Sequence, residues 1–431
     1  MSDREGLTQR WARRFFTIWT GQQISLIGSQ LVQFALIWWM TKKTHSATVL
    51  ATASLVALLP QILLGPFCGA LIDRWKRRSV MIVADLGIAL ASAGLAYAFY
   101  LGVTEIWHVY VVMAIRSVGS GFHWPAMAAS TSLMVPREHL PRVAGLNQSM
   151  SGALNVVAPI LGALLLAILP MYGILGIDVV TAAIAIVPLL FTPIPQPAGV
   201  PTSRAARGSV LKQVSEGFRY VASWPGLLFL LAMGAVLNFA LSPAASLLPL
   251  LVVKHFQGDA LHLGWMNAAF GIGLVVGGVT LGIWGGFRKR MATALLGIGG
   301  VGLGILGVGL LPGWAFWLAA GTILFTGLMT PIASGPLLSL FQAEVAPEMQ
   351  GRVLTLSSSV ASLMAPLSLG AAGPLADLMG IQFWYIVAGA TLLVLGVAGF
   401  FVPSVLFFEA RAAEHPLRRK AVPPSPPAAS G

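Results

Sequence analysis

Twelve stretches of mostly apolar residues divide the sequence, each long enough to cross a bilayer as a helix. A helix rises about 1.5 Å per residue, so about 20 apolar residues span the ~30 Å of hydrocarbon. The stretches cover residues 15–40, 47–72, 80–101, 106–133, 143–169, 172–193, 225–252, 261–284, 291–311, 314–342, 350–376 and 382–408. Only 9% of the 431 residues are charged and 57% are hydrophobic, whereas soluble domains carry about 25% charged residues. Lipid offers no partner to a backbone N–H or C=O, which leaves the helix as the element that satisfies itself within one segment. The expected fold class is all-α integral membrane, with twelve transmembrane helices. Several stretches are longer than a straight crossing needs, which implies tilt or projection beyond the bilayer.

The net charge is +12, and its placement decides its meaning. An even number of spans puts both termini on one side. That side collects 22 of the 26 Lys and Arg residues, among them Arg4, Arg10, Arg13 and Arg14, then Arg74, Lys76, Arg77 and Arg78, then Arg288, Lys289 and Arg290. The other side holds Lys42, Lys43 and Lys254, and Arg116 falls inside a span. A bias of this kind sets orientation, so the basic face is expected to be cytoplasmic. The charge therefore marks topology and contact with lipid phosphates, and nucleic acid is excluded as a partner. The single cysteine, Cys68, excludes an internal disulfide.

The two halves of the chain resemble each other. "VPREHLPRVAGL" (135–146) enters the fifth span much as "APEMQGRVLTL" (346–356) enters the eleventh, and "APILGA" (158–163) is echoed by "APLSLGA" (365–371). The expected organisation is an N-terminal cytoplasmic segment (1–14), a six-helix bundle (15–193), a polar basic linker (194–224), a second six-helix bundle (225–408) and a Pro-rich disordered tail (409–431). Two pseudo-symmetric six-helix bundles are a transporter architecture, with a small-molecule site between the repeats. No cofactor and no metal are expected, no enzymatic activity, and a monomer. The Gly-rich run at 297–309 lacks the Lys-Ser/Thr of a phosphate-binding loop and reads as helix packing.

Ionisable groups at the centre of a bilayer cost about 2.5–3.5 kcal/mol each, so those present are candidates for function. Asp85, Arg116 and Asp178 lie inside spans, with His123 further along the Arg116 span. In the first span, Gln22, Ser25, Ser29 and Gln33 recur every three or four residues and form one polar stripe. Asn238 and Ser242 in span seven and Asn267 in span eight offer a second, also uncharged, polar wall. An uncharged lining suits an apolar or amphipathic ligand held by stacking and hydrogen bonds.

"GALIDRWKRR" (69–78) gathers five ionisable residues in ten between two apolar stretches. It resembles the signature loop of the major facilitator superfamily. "IWTGQQISLIGSQLVQFAL" (18–36), "IRSVGSGFHWPA" (115–126) and "IDVVTAAIA" (177–185) resemble the macrolide-efflux branch of its drug:proton antiporters. The resemblance implies that Gly69, Asp73, Arg74, Arg77 and Arg78 form a gating loop whose carboxylate engages the start of span eleven near Arg352. It implies that Arg116 takes part in proton transfer and that span one lines the cavity; Asp178, Asp85 and His123 are read as its proton-coupling partners from their positions inside the spans. It assigns Gly152, Pro159 and Gly162 to the family's antiporter motif. The expected activity is proton-driven export of a hydrophobic or amphipathic small molecule across the bacterial inner membrane. The alternative is a lysophospholipid or siderophore transporter of the same fold. The loop departs from the family pattern at Lys76, where a second glycine is usual.

Overall fold

The computed structural model describes residues 2–194 except 73 and 74, then 218–401 except 223, 224 and 346; side chains are described from Trp11 onward, apart from residues 65–74 and several near 223–226 and 341–355. Twelve long helices account for nearly all of the described residues. They are α1 (Ser2–Thr44), α2 (Ala47–Ile72), α3 (Arg77–Tyr100), α4 (Ile106–Met134), α5 (Leu140–Ile168) and α6 (Met171–Phe191), then α7 (Pro225–Lys254), α8 (Ala260–Trp284), α9 (Arg290–Leu310), α10 (Phe316–Glu344), α11 (Pro347–Met379) and α12 (Ile381–Phe401). A short 3-10 turn, Arg137–His139, precedes α5. Residues 195–217, most of the expected linker, and 402–431, with the whole tail, lie outside the described residues.

By length and composition, eleven of the described helices can cross a membrane. The one that falls short is α4, because it carries Arg116, Ser117, His123 and Ser130. Three of these, Arg116, Ser117 and Ser130, are buried, where α4 packs against α2 and α3. The polarity that lowers its hydropathy is therefore turned away from lipid. The first helix begins at Ser2, well before the apolar stretch at residue 15. Hydropathy marks where hydrocarbon begins, and a helix continues past that point because its hydrogen bonds are internal.

Packing repeats between the halves. The pairs α1–α6, α2–α4, α3–α4, α3–α6 and α1–α5 recur as α7–α12, α8–α10, α9–α10, α9–α12 and α7–α11. Between the halves, α5 lies along α8 and α2 along α11. The Gly-rich run lies in α9, where a Cβ on Gly302 would strike the backbone of α12 at Leu393 and one on Gly297 the backbone of α10 at Ala333. Small residues at such crossings let helix backbones approach, which drives association where lipid removes the hydrophobic difference.

The start of α8, on the face opposite the basic one, carries a side-chain cap. Asp259 accepts from the His262 backbone N–H at 3.0 Å and sits 2.7 Å from its Nδ1, closing the first turn of α8. Slight burial works against the Asp259 charge, but the bonds from His262 outweigh it and hold the carboxyl below its ordinary value. His255 instead meets the Leu311 carbonyl at 2.8 Å, so these three side chains serve helix ends.

Candidate functional site

Four helices of the N-terminal half bring the intramembrane charges together. Arg116 on α4 is ion-paired with Asp178 on α6, their side chains 9% and 1% exposed. Ser92 on α3 lies between them, donating to Asp178 Oδ2 at 2.7 Å and accepting from the guanidinium at 2.8 Å. Ser29 on α1 donates to Asp178 Oδ1 at 3.1 Å, and its carbonyl accepts from Arg116 at 3.1 Å. Both carboxylate oxygens are thus satisfied from three helices. Removing one partner from such a group leaves an uncompensated charge, so the arrangement holds together as a unit. A Cβ on Gly28 would strike Thr181 on α6, and that close approach is what places Ser29 within reach of Asp178.

A second polar group lies towards the basic face. Gln22 Nε2 donates to Asp85 Oδ2 at 3.0 Å. His123 Nε2 sits 3.4 Å from Asp85 Oδ1, off the line of a hydrogen bond, and is buried without one. A cavity of about 340 Å³ between α1, α4 and α5, lined by Gln22, Gln23, His123 and Asn147, reaches this group.

Two further cavities lie between the halves. One of about 400 Å³ is bounded by α1, α2, α5, α7 and α8, its polar lining being Gln30, Gln33, Ser54, Asn155, Ser246 and Asn267. The other, about 1060 Å³, opens between α2, α7 and α11, with Gln61, Asn238, Ser242, Ser358, Ser359 and Ser362 on its walls. None of the described residues lining either cavity is charged. The first is lined from α2 at Ser54, near the start of that helix, and the second at Leu58 to Leu63, further towards its end.

The polar stripe of α1 is divided by this packing. Gln33 lines the central chamber. Gln22 and Ser29 bind Asp85 and Asp178 inside the bundle, Gln22 also lining the smaller cavity, and Ser25 is buried. A stripe at three- and four-residue spacing shows that one side of α1 is polar, but which neighbour that side meets depends on helix rotation. Asn238, Ser242 and Asn267 do line the chambers, each also bonded to a carbonyl one turn back on its own helix: Asn238 to Gly234 O, Ser242 to Asn238 O and Asn267 to Leu263 O. Sequence reasoning misses Gln61, Ser358, Ser359 and Ser362, although "LSSSVAS" (356–362) stands out as a hydroxyl cluster in an apolar span. Ser92 gives no such signal, since a lone serine in a membrane helix is common.

Two of the three α5 motif residues face the other half, and the third packs on α1 of its own half. Gly152 faces Val275 of α8, Pro159 lines the central chamber, and a Cβ on Gly162 would press on the Phe34 ring at 2.8 Å. Of the expected gating group, Asp73 and Arg74 lie outside the described residues, as does the Arg352 side chain, while Gly69 falls in the last turn of α2. Arg77 donates to the Ala129 carbonyl on α4 at 3.0 Å and Arg78 to the Leu190 carbonyl on α6. Both arginines thus tie the start of α3 into its own bundle.

This architecture and these motifs have known counterparts. The family model described as "Major Facilitator Superfamily" matches residues 18–369. The chain is 35% identical to "Macrolide efflux protein A" of Streptococcus pyogenes over 388 residues, covering 90% of this chain and 95% of that protein. It is 26% identical to "Multidrug efflux pump Tap" of Mycolicibacterium fortuitum, covering 87% and 92%. Its fold is similar to a POT family transporter solved in complex with a thioalcohol-conjugated peptide, with a TM-score of 0.69 at 13% identity, covering 93% and 96%. Long helices in two repeating halves, a chamber between them and a family match over most of its length place the chain in the Major Facilitator Superfamily, as a multi-pass membrane transporter.

Proposed function

We propose that the protein exports a neutral or weakly charged amphipathic compound of the macrolide type, in exchange for protons and by alternating access. The observation that carries this reading is the pair of chambers between the halves, lined by amides, hydroxyls and apolar groups without a charge among the described lining residues. Such a lining accepts a large, mostly apolar molecule, whereas an anionic chelator calls for cationic groups. The likeness to macrolide and multidrug efflux proteins supports the same substrate class. The contact between the halves at the start of α2 and the wide cavity further along it suit one end state of a rocking pair of bundles.

The Arg116–Asp178 pair is the proton-coupling group in this reading, with Asp85 and His123 as the route from the cavity on the basic side. Protonating Asp178 removes the charge that holds Arg116, freeing α4 and α6 to shift against α1 and α3. The basic face is cytoplasmic, both termini lie there, and the membrane is the bacterial cell membrane. In this reading the wide cavity between α2, α7 and α11 is the inward opening, and drug enters it from the cytoplasm or inner leaflet.

The test uses the purified protein in liposomes with an imposed pH gradient and a radiolabelled macrolide. Transport is expected to accelerate with the gradient, and Asp178→Asn to abolish that acceleration while leaving drug binding in place. Transport insensitive to the gradient in the parent protein overturns proton antiport, and movement of lysophospholipid without movement of drug overturns the substrate class.

A further inference from the structure

On the face opposite the basic one a carboxylate caps a helix across the two halves. Asp377, in the last turn of α11, accepts from the Ala47 N–H at 2.8 Å and the Thr48 N–H at 2.9 Å, at the first turn of α2. It also accepts from the Thr48 hydroxyl at 2.7 Å and the Ser46 hydroxyl at 2.9 Å. The free N–H groups and partial positive charge of a helix N-terminus make it a natural seat for a carboxylate, but caps usually come from the residue just before the same helix. Here the cap comes from 330 residues away, from the other half of the transporter.

One turn earlier on α11, Gly373 lets the helices touch. A Cβ there would lie 2.8 Å from the Ala51 Cβ and 3.0 Å from the Thr48 Cα. Another contact between the halves, Gly264 of α8 against Pro159 and Ala163 of α5, is packing of small groups. The sequence Gly373-Pro374-Leu375-Ala376-Asp377 has the pattern Gly-x-Leu-x-Asp, which also occurs as Gly69-Ala70-Leu71-Ile72-Asp73 where α2 finishes. The same pattern thus marks the C-terminal ends of both members of the α2–α11 pair, at opposite faces of the membrane.

We propose that Asp377 is the gating latch of this face. It locks the state seen here through the N-terminus of α2 and must release for the central chamber to open on that side. Release does not leave α2 uncapped, because Ser46 Oγ already accepts from the Val49 N–H at 3.4 Å, so the helix keeps a local cap in either state. This rests on alternating access and is independent of the substrate and of proton coupling.

The experiment reads conformation without transport. Cys68 is replaced by serine, and single cysteines are placed at Ser54 in the central chamber or Ser358 in the wide cavity. Full-length protein in vesicles is labelled with an impermeant thiol reagent from each side. Losing an N-cap shifts a two-state equilibrium by roughly two- to thirtyfold. Asp377→Ala is therefore expected to raise labelling of Ser54→Cys from the sealed face by that factor and to lower labelling of Ser358→Cys from the basic face. Asp377→Asn, which retains one acceptor oxygen, falls between. Gly373→Leu wedges the same contact apart while keeping the carboxylate, and is expected to shift both labels the same way. Unchanged labelling in Asp377→Ala overturns the latch. So does a rise at both positions, which marks loosened structure with no exchange of faces.

Discussion

Arg116 and Asp178, 62 residues apart in sequence, share the hydroxyl of Ser92 within the core of the N-terminal bundle. The ion pair is therefore a three-helix junction, since α4 supplies the cation, α6 the anion and α3 the bridge, with α1 closing the far side through Ser29. In the proposed mechanism a proton on Asp178 acts on all four helices at once.

Breaking one side of that junction is expected to cost more than removing it whole. Arg116→Leu leaves Asp178 charged and buried, a loss of about 3–5 kcal/mol. Arg116→Leu combined with Asp178→Leu is expected to recover most of the thermal stability of the detergent-solubilised protein while staying inert to a pH gradient. A double variant as unstable as the single one contradicts the assignment of the pair as an electrostatic unit.

If the chamber binds the substrate as proposed, its wall sets affinity through single hydrogen bonds. Gln33→Ala removes an amide from the central chamber, and a neutral hydrogen bond is worth about 0.5–1.5 kcal/mol. The KM for a transported macrolide is expected to rise roughly two- to tenfold at this value with kcat nearly unchanged. Gln22→Ala, by contrast, strips a donor from Asp85 and is expected to alter the dependence of rate on the pH gradient. Identical kinetic effects from the two variants would show that α1 does not divide its polar face in this way.

Packing in α9 sets a stability contrast between glycines that look alike in sequence. A methyl at Gly302 collides with the backbone of Leu393 on α12, while Gly278 on α8 has nothing within 4 Å. Overpacking against backbone costs about 1–3 kcal/mol or more, so Gly302→Ala is expected to lower the Tm by several degrees. Gly278→Ala is expected to leave it unchanged or raise it slightly, as alanine is the better helix former. Size-exclusion chromatography of the protein after heating to a series of temperatures distinguishes them.

Orientation is open to a direct check. A reporter active only in the cytoplasm is expected to be active when fused after Gly431. The same reporter inserted between Phe256 and Gln257, in the loop joining α7 to α8, is expected to be silent. Activity in the loop insertion alone reverses the topology inferred from the Lys and Arg bias.

The sequence by itself determined the solvent and the element count. Apolar runs of bilayer length fix helices because lipid cannot satisfy a bare backbone. Their limits agree closely where a turn residue or charge stops the run, as for α2 (Ala47–Ile72) and α8 (Ala260–Trp284). They fall short where a helix leaves the hydrocarbon and continues, as α1 does back to Ser2. The intramembrane charges were also legible, since the cost of burying Arg116 or Asp178 marks each of them alone. Only the tertiary structure decided their partners. Ser92, Ser29 and Gln22 read as ordinary polar residues in apolar helices, and their meeting with Asp178 and Asp85 depends on how four helices rotate about their axes. Asp377 reads as a loop acid until α11 and α2 are brought together. Periodicity fixes which residues share a helix face. The neighbour that face meets is set by close packing between helices distant in sequence, where glycines such as Gly28 and Gly373 admit contact and larger side chains forbid it.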